Sequence, residues 1–348
     1  MTAPIDCDVH NVVGPIETLE PYLDAHWREV IATSQFAGPT DQAHPPNLAT
    51  SRGPELSDVV GAAPGRTLRS LREQLLDPIG AELAILSCDY GVESVRNPDA
   101  AAALATAVND WQVAEWLEPE PRLRAAIVVP SQQPAMATAE IERRARDPRF
   151  VAVYLPVRSA VPYGNRIWWP LLEAISEREL VLELHFGGSP GLPPTASGWP
   201  TSWLEEYVDM SSAFASQLTS LIAEGAFDRF PSLRLTLVES GFAWLPAFMW
   251  RFDKGWRGLR REVPWTSRLP SEYAREHVRV TLQPVDGPAD ARQLLEVIEQ
   301  LGSDAMLMFS SDYPHRHTTE ELSAVPEGLK PEFADRLLAG NAREHYRL

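Results

Sequence analysis

An α/β fold is predicted for this chain: a closed (β/α)8 TIM barrel, distorted, with loop insertions after its first, fifth and sixth strands. Three observations predict it. Apolar strand-like runs recur eight times, amphipathic helical stretches separate them, and 348 residues suit one barrel with insertions. The whole span 1–348 is therefore read as a single domain.

The first run, 4–10, reads Pro-Ile-Asp-Cys-Asp-Val-His. Alternate residues of a strand share a face, so Asp8 and His10 reach one side together and parity turns Cys7 the other way. Residues 36–65, rich in Pro and Gly with little periodicity, form the first excursion. The second, third and fourth runs are 82–89, 124–130 and 150–156. Helical stretches 97–118 and 135–146 separate them, the first with Ala101, Leu104, Ala105, Val108, Trp111 and Trp116 along one face. Stretch 169–177 leads into the fifth run, 180–186, which carries His185 before Phe186-Gly187-Gly188. Glu183 shares the face of His185 one layer deeper, and a buried carboxylate needs a partner. The second excursion, 187–209, holds Trp199 and Trp203 and is a candidate lid.

Helix 213–225 precedes the sixth run, 234–239, which ends in Glu239 before Ser240-Gly241. The basic and aromatic segment 253–271 is the third excursion and a second candidate lid. A seventh run (278–284), a helix (289–301) and an eighth run (305–312) follow, the last ending in Asp312 before Tyr313-Pro314-His315. Pro331 opens a final helix that Gly340 closes.

Composition narrows the function. A net charge of −17 argues against nucleic acid and anionic membrane surfaces, leaving a small-molecule substrate. No apolar run approaches the roughly 20 residues that span a bilayer, and no signal peptide is evident, so the expected location is cytoplasmic. Cys7 and Cys88 sit in apparent strands and are read as small apolar residues, not a disulfide.

Barrel enzymes place their working groups at the C-terminal ends of strands. Here four such ends carry Asp8 and His10, His185, Glu239, and Asp312 with His315. Two carboxylates and two imidazoles, Asp8, His10, His185 and Asp312, suit one divalent metal ion, zinc first, with manganese or iron as alternatives. A position would remain for water or substrate. Asp312 is also read as a catalytic proton acceptor, against a turn aspartate, and His185 as a ligand, against a satisfied core histidine. Glu239 beside two carboxylates is expected to have a raised pKa and to serve as general acid or base; an ion pair with Arg251 or Arg257 is the alternative. His315 is a catalytic candidate from the loop, and His317 is read as surface. Arg158, Arg166, Arg257 and Arg316 are the basic groups placed to meet a substrate carboxylate.

Several segments resemble a known family. They are Asp6-Cys7-Asp8-Val9-His10, Leu184-His185-Phe186-Gly187-Gly188, Phe230-Pro231-Ser232-Leu233, Glu239-Ser240-Gly241-Phe242-Ala243-Trp244-Leu245-Pro246, Ser310-Ser311-Asp312-Tyr313-Pro314-His315 and Gly340-Asn341-Ala342. Nearly end to end, the chain resembles the amidohydrolase 2 branch of the amidohydrolase superfamily, related to aminocarboxymuconate-semialdehyde decarboxylase. The resemblance implies a distorted barrel binding one divalent metal, with Asp8, His10, His185 and Asp312 at ligand positions, and a homodimer. Two departures accompany it. Characterised decarboxylases often have His or Glu where Asp8 stands, and usually a catalytic His where Glu239 stands.

Because an extra anionic group suits water activation or leaving-group protonation, the expected activity is metal-dependent hydrolysis through a metal-activated water. Asp312 would remove the proton and Glu239 or His315 would assist the leaving group. The alternative is a non-oxidative decarboxylase (carboxy-lyase) of an aromatic or conjugated acid. A metal-free barrel that binds a ligand without turnover is the second alternative.

Overall fold

The computed structural model describes residues 2–39, 65–188, 191–315 and 325–348. Most of the 36–65 excursion, together with Arg316 and His317, lies outside these. Eight parallel strands pair in chain order: β1 (Ile5–Val9), β2 (Leu83–Leu86), β3 (Leu123–Val128), β4 (Phe150–Pro156), β5 (Val181–His185), β6 (Arg234–Val238), β7 (Val278–Thr281) and β8 (Leu307–Met308). Helices such as Pro98–Gln112, Pro134–Arg144, Trp169–Glu177 and Ala291–Gln300 lie between strands. The fold is the predicted TIM barrel.

Two strands are shorter than their apolar runs, because side chains and distant backbone replace the ladder there. Gln283 N–H donates to Ser310 Oγ, and Phe309 N–H donates to Leu337 O. The gap between β8 and β1 is closed by backbone bonds from Cys7 to Phe309 O, Asp312 to Asp8 O and His10 to Tyr313 O. The buried Asp6 carboxylate joins them, accepting Ser311 N–H at 2.9 Å and Asp8 N–H at 3.3 Å through Oδ1. Burial pushes Asp6 up to about 7 against the opposing pull of Ser311.

The register of β1 slips between Asp6 and Val9. Strict alternation fails there. Ile5 and Cys7 pack with Ile85, Ala126 and Met308 in one inner apolar cluster, while Val9 belongs to the larger outer core. Cys7 is thus buried inside the barrel, contrary to the parity argument, because the bulge lets Cys7 and Asp8 both turn inward.

The C-terminal helix Asn341–Tyr346 plugs this interior through Ala342 and Tyr346. Arg234, at the start of β6, fastens it by donating to the carbonyls of Glu344 and His345. Tyr346 Oη donates to Glu183 Oε1 at 2.8 Å and lies 3.1 Å from Thr236 Oγ1. That is the partner Glu183 requires. Burial pushes its carboxyl up to about 8, with Tyr346 pulling the other way.

Both candidate lids are shorter than the sequence suggested. Residues 203–209 belong to helix Trp203–Ala223, started by a Ser202–Glu205 capping box, and 253–259 continue helix Leu245–Leu259. Phe248 and Phe252 hold the latter against the core on one face, and this apolar stripe is why the basic segment is helical. Among the described residues no helix is long and apolar enough to cross a membrane.

Replacing Tyr346 by Phe should strand the buried Glu183 carboxyl and lower stability by about 1–3 kcal/mol. Urea unfolding of the two proteins reads this directly. An unchanged midpoint would show that the plug acts by packing alone.

Candidate metal centre

The ends of β1, β5 and β6 and the turn after β8 bring all six residues singled out from the sequence into one cluster. His10 Nε2 lies 3.1 Å from Glu239 Oε1, 3.1 Å from Asp312 Oδ1 and 3.7 Å from Asp8 Oδ1. His185 Nε2 lies 3.5 Å from Asp8 Oδ1 and 3.7 Å from Glu239 Oε1. His315 Nδ1 sits 2.9 Å from Asp312 Oδ1 and 3.7 Å from Glu239 Oε1. Asp8, His10, His185 and Asp312 are buried, Glu239 is nearly so, and His315 is half-exposed at the rim.

Local structure aims these groups. His185 Nδ1–H donates to the carbonyl of Phe186 at 2.8 Å, so Nε2 is the nitrogen that faces the cluster. Glu239 and Asp312 have left-handed backbones, φ 57° and 55°, which side chains other than Gly seldom adopt. Such strain costs on the order of 1–3 kcal/mol at each position and gathers at functional sites. Hydrogen bonds hold both turns: Glu239 N–H donates to Thr281 Oγ1, and Asp312 N–H to Asp8 O. At Gly188, φ 99°, a Cβ would lie 2.8 Å from Arg158 O and 2.9 Å from Pro156 Cβ. The Gly-Gly pair thus serves close backbone packing between the ends of β4 and β5.

Two further residues escaped the sequence reading. Tyr154 packs its ring 5.2 Å from that of His185 and donates its hydroxyl to Asp89 Oδ1 at 2.8 Å. Asp89 closes the second apolar run, so its place at a strand end was the available signal. Among the arginines, Arg158 is buried and donates to Glu206 Oε1. Arg166 is clasped between Trp169 and Trp265 away from the cluster. Gln283 Oε1 accepts Val285 N–H, so a backbone partner occupies it.

Electrostatics divides the cluster into three carboxylates and three imidazoles. Burial opposes charge on His10 and His185, yet Asp312, Glu239 and Asp8 outweigh it and lift both imidazoles to about 10. Burial raises Asp8 despite the pull of His185 and His10. Glu239 departs from expectation: burial and Asp312 push its pKa up, but His185, His10 and His315 prevail and hold it below the usual value. The partners are imidazoles, not Arg251 or Arg257, which explains why like-charge repulsion does not dominate.

Both oxygens of Asp8 and Nε2 of His185 lack a hydrogen-bond partner among the described residues, although fully buried. Buried acceptors such as the Asp8 oxygens can be satisfied by a cation. Donors around one ion with bonds of about 2.0–2.2 Å stand roughly 3–4 Å apart, as these atoms do. The residues fit a divalent metal.

Comparison with known proteins agrees with this fold. A family model described as amidohydrolase matches residues 5–348. The chain is 28% identical over 262 residues to a gamma-resorcylate decarboxylase from Polaromonas sp. (strain JS666 / ATCC BAA-500), covering 71% of this chain and 77% of that protein. It is 27% identical over 325 residues to a gamma-resorcylate decarboxylase from Rhizobium sp. (strain MTP-10005), covering 84% and 94%. The crystal structure of a dihydroxybenzoic acid decarboxylase from Polaromonas sp. JS666, with bound manganese and the inhibitor 2-nitroresorcinol, superposes with a TM-score of 0.68 at 21% identity, covering 100% and 98% of the two chains.

A cation seated among these donors needs neutral imidazoles, whereas the metal-free protein keeps His10 and His185 protonated up to about pH 10. Metal uptake at neutral pH should therefore expel about two protons per ion, and affinity should climb with pH. In the metal-free protein the same protons stabilise the fold fully below about pH 6.5, a contribution lost as pH rises toward 10. Calorimetric titration with Mn2+ in buffers of different ionisation enthalpy counts the protons. A buffer-independent heat would contradict this charge assignment.

Proposed function

The chain belongs to the amidohydrolase family, and from that premise we propose that it is a metal-dependent, non-oxidative decarboxylase of a small aromatic or conjugated carboxylic acid. One observation carries the choice over hydrolysis. Glu239, one of the two groups expected to assist a leaving group, is drawn toward its anionic form by three imidazoles in the metal-free cluster. Of the two groups expected to assist a leaving group, the hydrolytic reading keeps only His315. The curated relatives, named as gamma-resorcylate decarboxylases, support the same choice.

In this reading Asp8, His10, His185 and Asp312 hold the ion. A divalent cation held by these residues would supply Lewis acidity toward the oxygens of the acid. Decarboxylation exchanges a carboxylate for a proton at one carbon: the carbon–carboxylate bond breaks, carbon dioxide leaves, and the electron pair takes a proton. We assign that proton to Asp312, which bonds both His10 and His315. Half-exposed His315 is placed to replace it from solvent. The manganese of the decarboxylase structure supports manganese here in place of the zinc expected from sequence. The homodimer stays part of this reading, supported by the exposed apolar side chains Trp199, Leu204 and Val208.

Manganese-loaded protein should release carbon dioxide from members of a hydroxybenzoate panel and leave amide, ester and lactone panels intact. Asp312→Asn should lower turnover by about 10²–10⁴-fold. Ring-opened or hydrolysed products without carbon dioxide would return the assignment to hydrolysis. Absence of metal from protein purified without chelator, with Asp312→Asn indistinguishable from wild type, would favour a binding barrel.

A further inference from the structure

We propose that Glu239 is a direct ligand of the metal, so that the centre of this chain is built from three carboxylates and two imidazoles. The inference rests on the metal-dependent reading above and adds to it a residue read from sequence only as an acid or base.

The geometry places Glu239 at the middle of the cluster. The donor atoms of Asp8, His10, His185 and Glu239 all lie within 4.8 Å of one another, and so do those of His10, Glu239, Asp312 and His315. Only His10 and Glu239 belong to both groups. Asp8 and His185 fall in one group and Asp312 in the other, and Glu239 is the one carboxylate within reach of both. The backbone gives a second, independent observation. Of four non-glycine residues with positive φ among the described residues, two are Glu239 and Asp312. The strained turn that delivers Asp312 to the cluster is repeated at Glu239, where Thr281 Oγ1 anchors the N–H at 3.0 Å. A general acid reaching for substrate has less need of such fixation than a ligand with a prescribed bond length and direction.

The chemical consequence is specific to this chain. Compared with a histidine at this strand end, Glu239 adds one negative charge and one hard oxygen donor. Three carboxylates and two imidazoles around a divalent ion sum to a net charge of −1, and the oxygen-rich set favours Mn2+ relative to Zn2+. A centre of this charge attracts an anionic substrate less than a neutral one would.

The test is titration of full-length metal-free protein with Mn2+, followed by the electron paramagnetic resonance signal of the free and bound ion, with Zn2+ as competitor. Glu239→Gln should weaken Mn2+ by about tenfold or more and change the bound-ion spectrum. Glu239→His should move the Zn2+/Mn2+ preference toward zinc by a similar factor, and Thr281→Val should weaken Mn2+ by less than either. Circular dichroism identifies variants that fold, and Thr281→Val provides a reading if both Glu239 variants fail to. Wild-type Mn2+ affinity and spectrum in all folded variants, with turnover lost, would overturn the ligand assignment alone. A wild-type protein that takes up no divalent ion would overturn it together with the metal-dependent reading.

Discussion

The seam between the last strand and the first is the constraint on which the site depends. β8 has only two ladder residues, so closure relies on a few bonds outside the regular sheet. Asp312 donates its N–H to the carbonyl of Asp8, and His10 donates to Tyr313 O. The same bonds that close the barrel thus set Asp8 and His10 beside Asp312. Asp6 extends the stitching from the opposite side of the bulge, with one carboxylate oxygen taking two backbone N–H groups. Barrel closure and the candidate site share residues here.

Gathering six ionisable groups, four of them buried, is unfavourable unless each charge finds a counter-charge. The cluster meets this requirement internally, with three imidazoles against three carboxylates, but leaves Asp8 and one nitrogen of His185 without hydrogen bonds. Two left-handed backbones add strain at Glu239 and Asp312. Each feature is unfavourable for a merely structural core. Their coincidence at the strand ends of a barrel is what a site preorganised for a cation requires.

The barrel and its four ionisable strand ends were legible in the sequence because their signals are local: apolar period, strand length and the residue type at each terminus. What escaped depends on relations between distant segments. The bulge in β1 reversed the inferred facing of Cys7, since parity holds only while register does. Glu183 announced by its position that it needed a partner, but Tyr346 lies 163 residues away. The charge of Glu239 was inverted for a related reason. His10, His185 and His315 were visible as candidates alongside the carboxylates, but the balance between them at Glu239 is set by distances that exist only when the barrel closes. The Asp89–Tyr154 bond joins β2 and β4 ends and has no sequence signature beyond an aspartate after an apolar run.

These long-range relations form two layers with different duties. At the lower layer Tyr346 and Thr236 meet Glu183, whose raised pKa leaves it largely protonated at neutral pH. At the upper layer Asp8, His10 and His185 face the mouth. A deprotonated Glu183 two residues below His185 would add a further anion beneath a centre already rich in carboxylates. By keeping that carboxyl neutral, burial confines the negative charge to the upper layer, where a cation can reach it from the mouth. The plug therefore does more than fill the barrel: it shapes the field in which the upper carboxylates act.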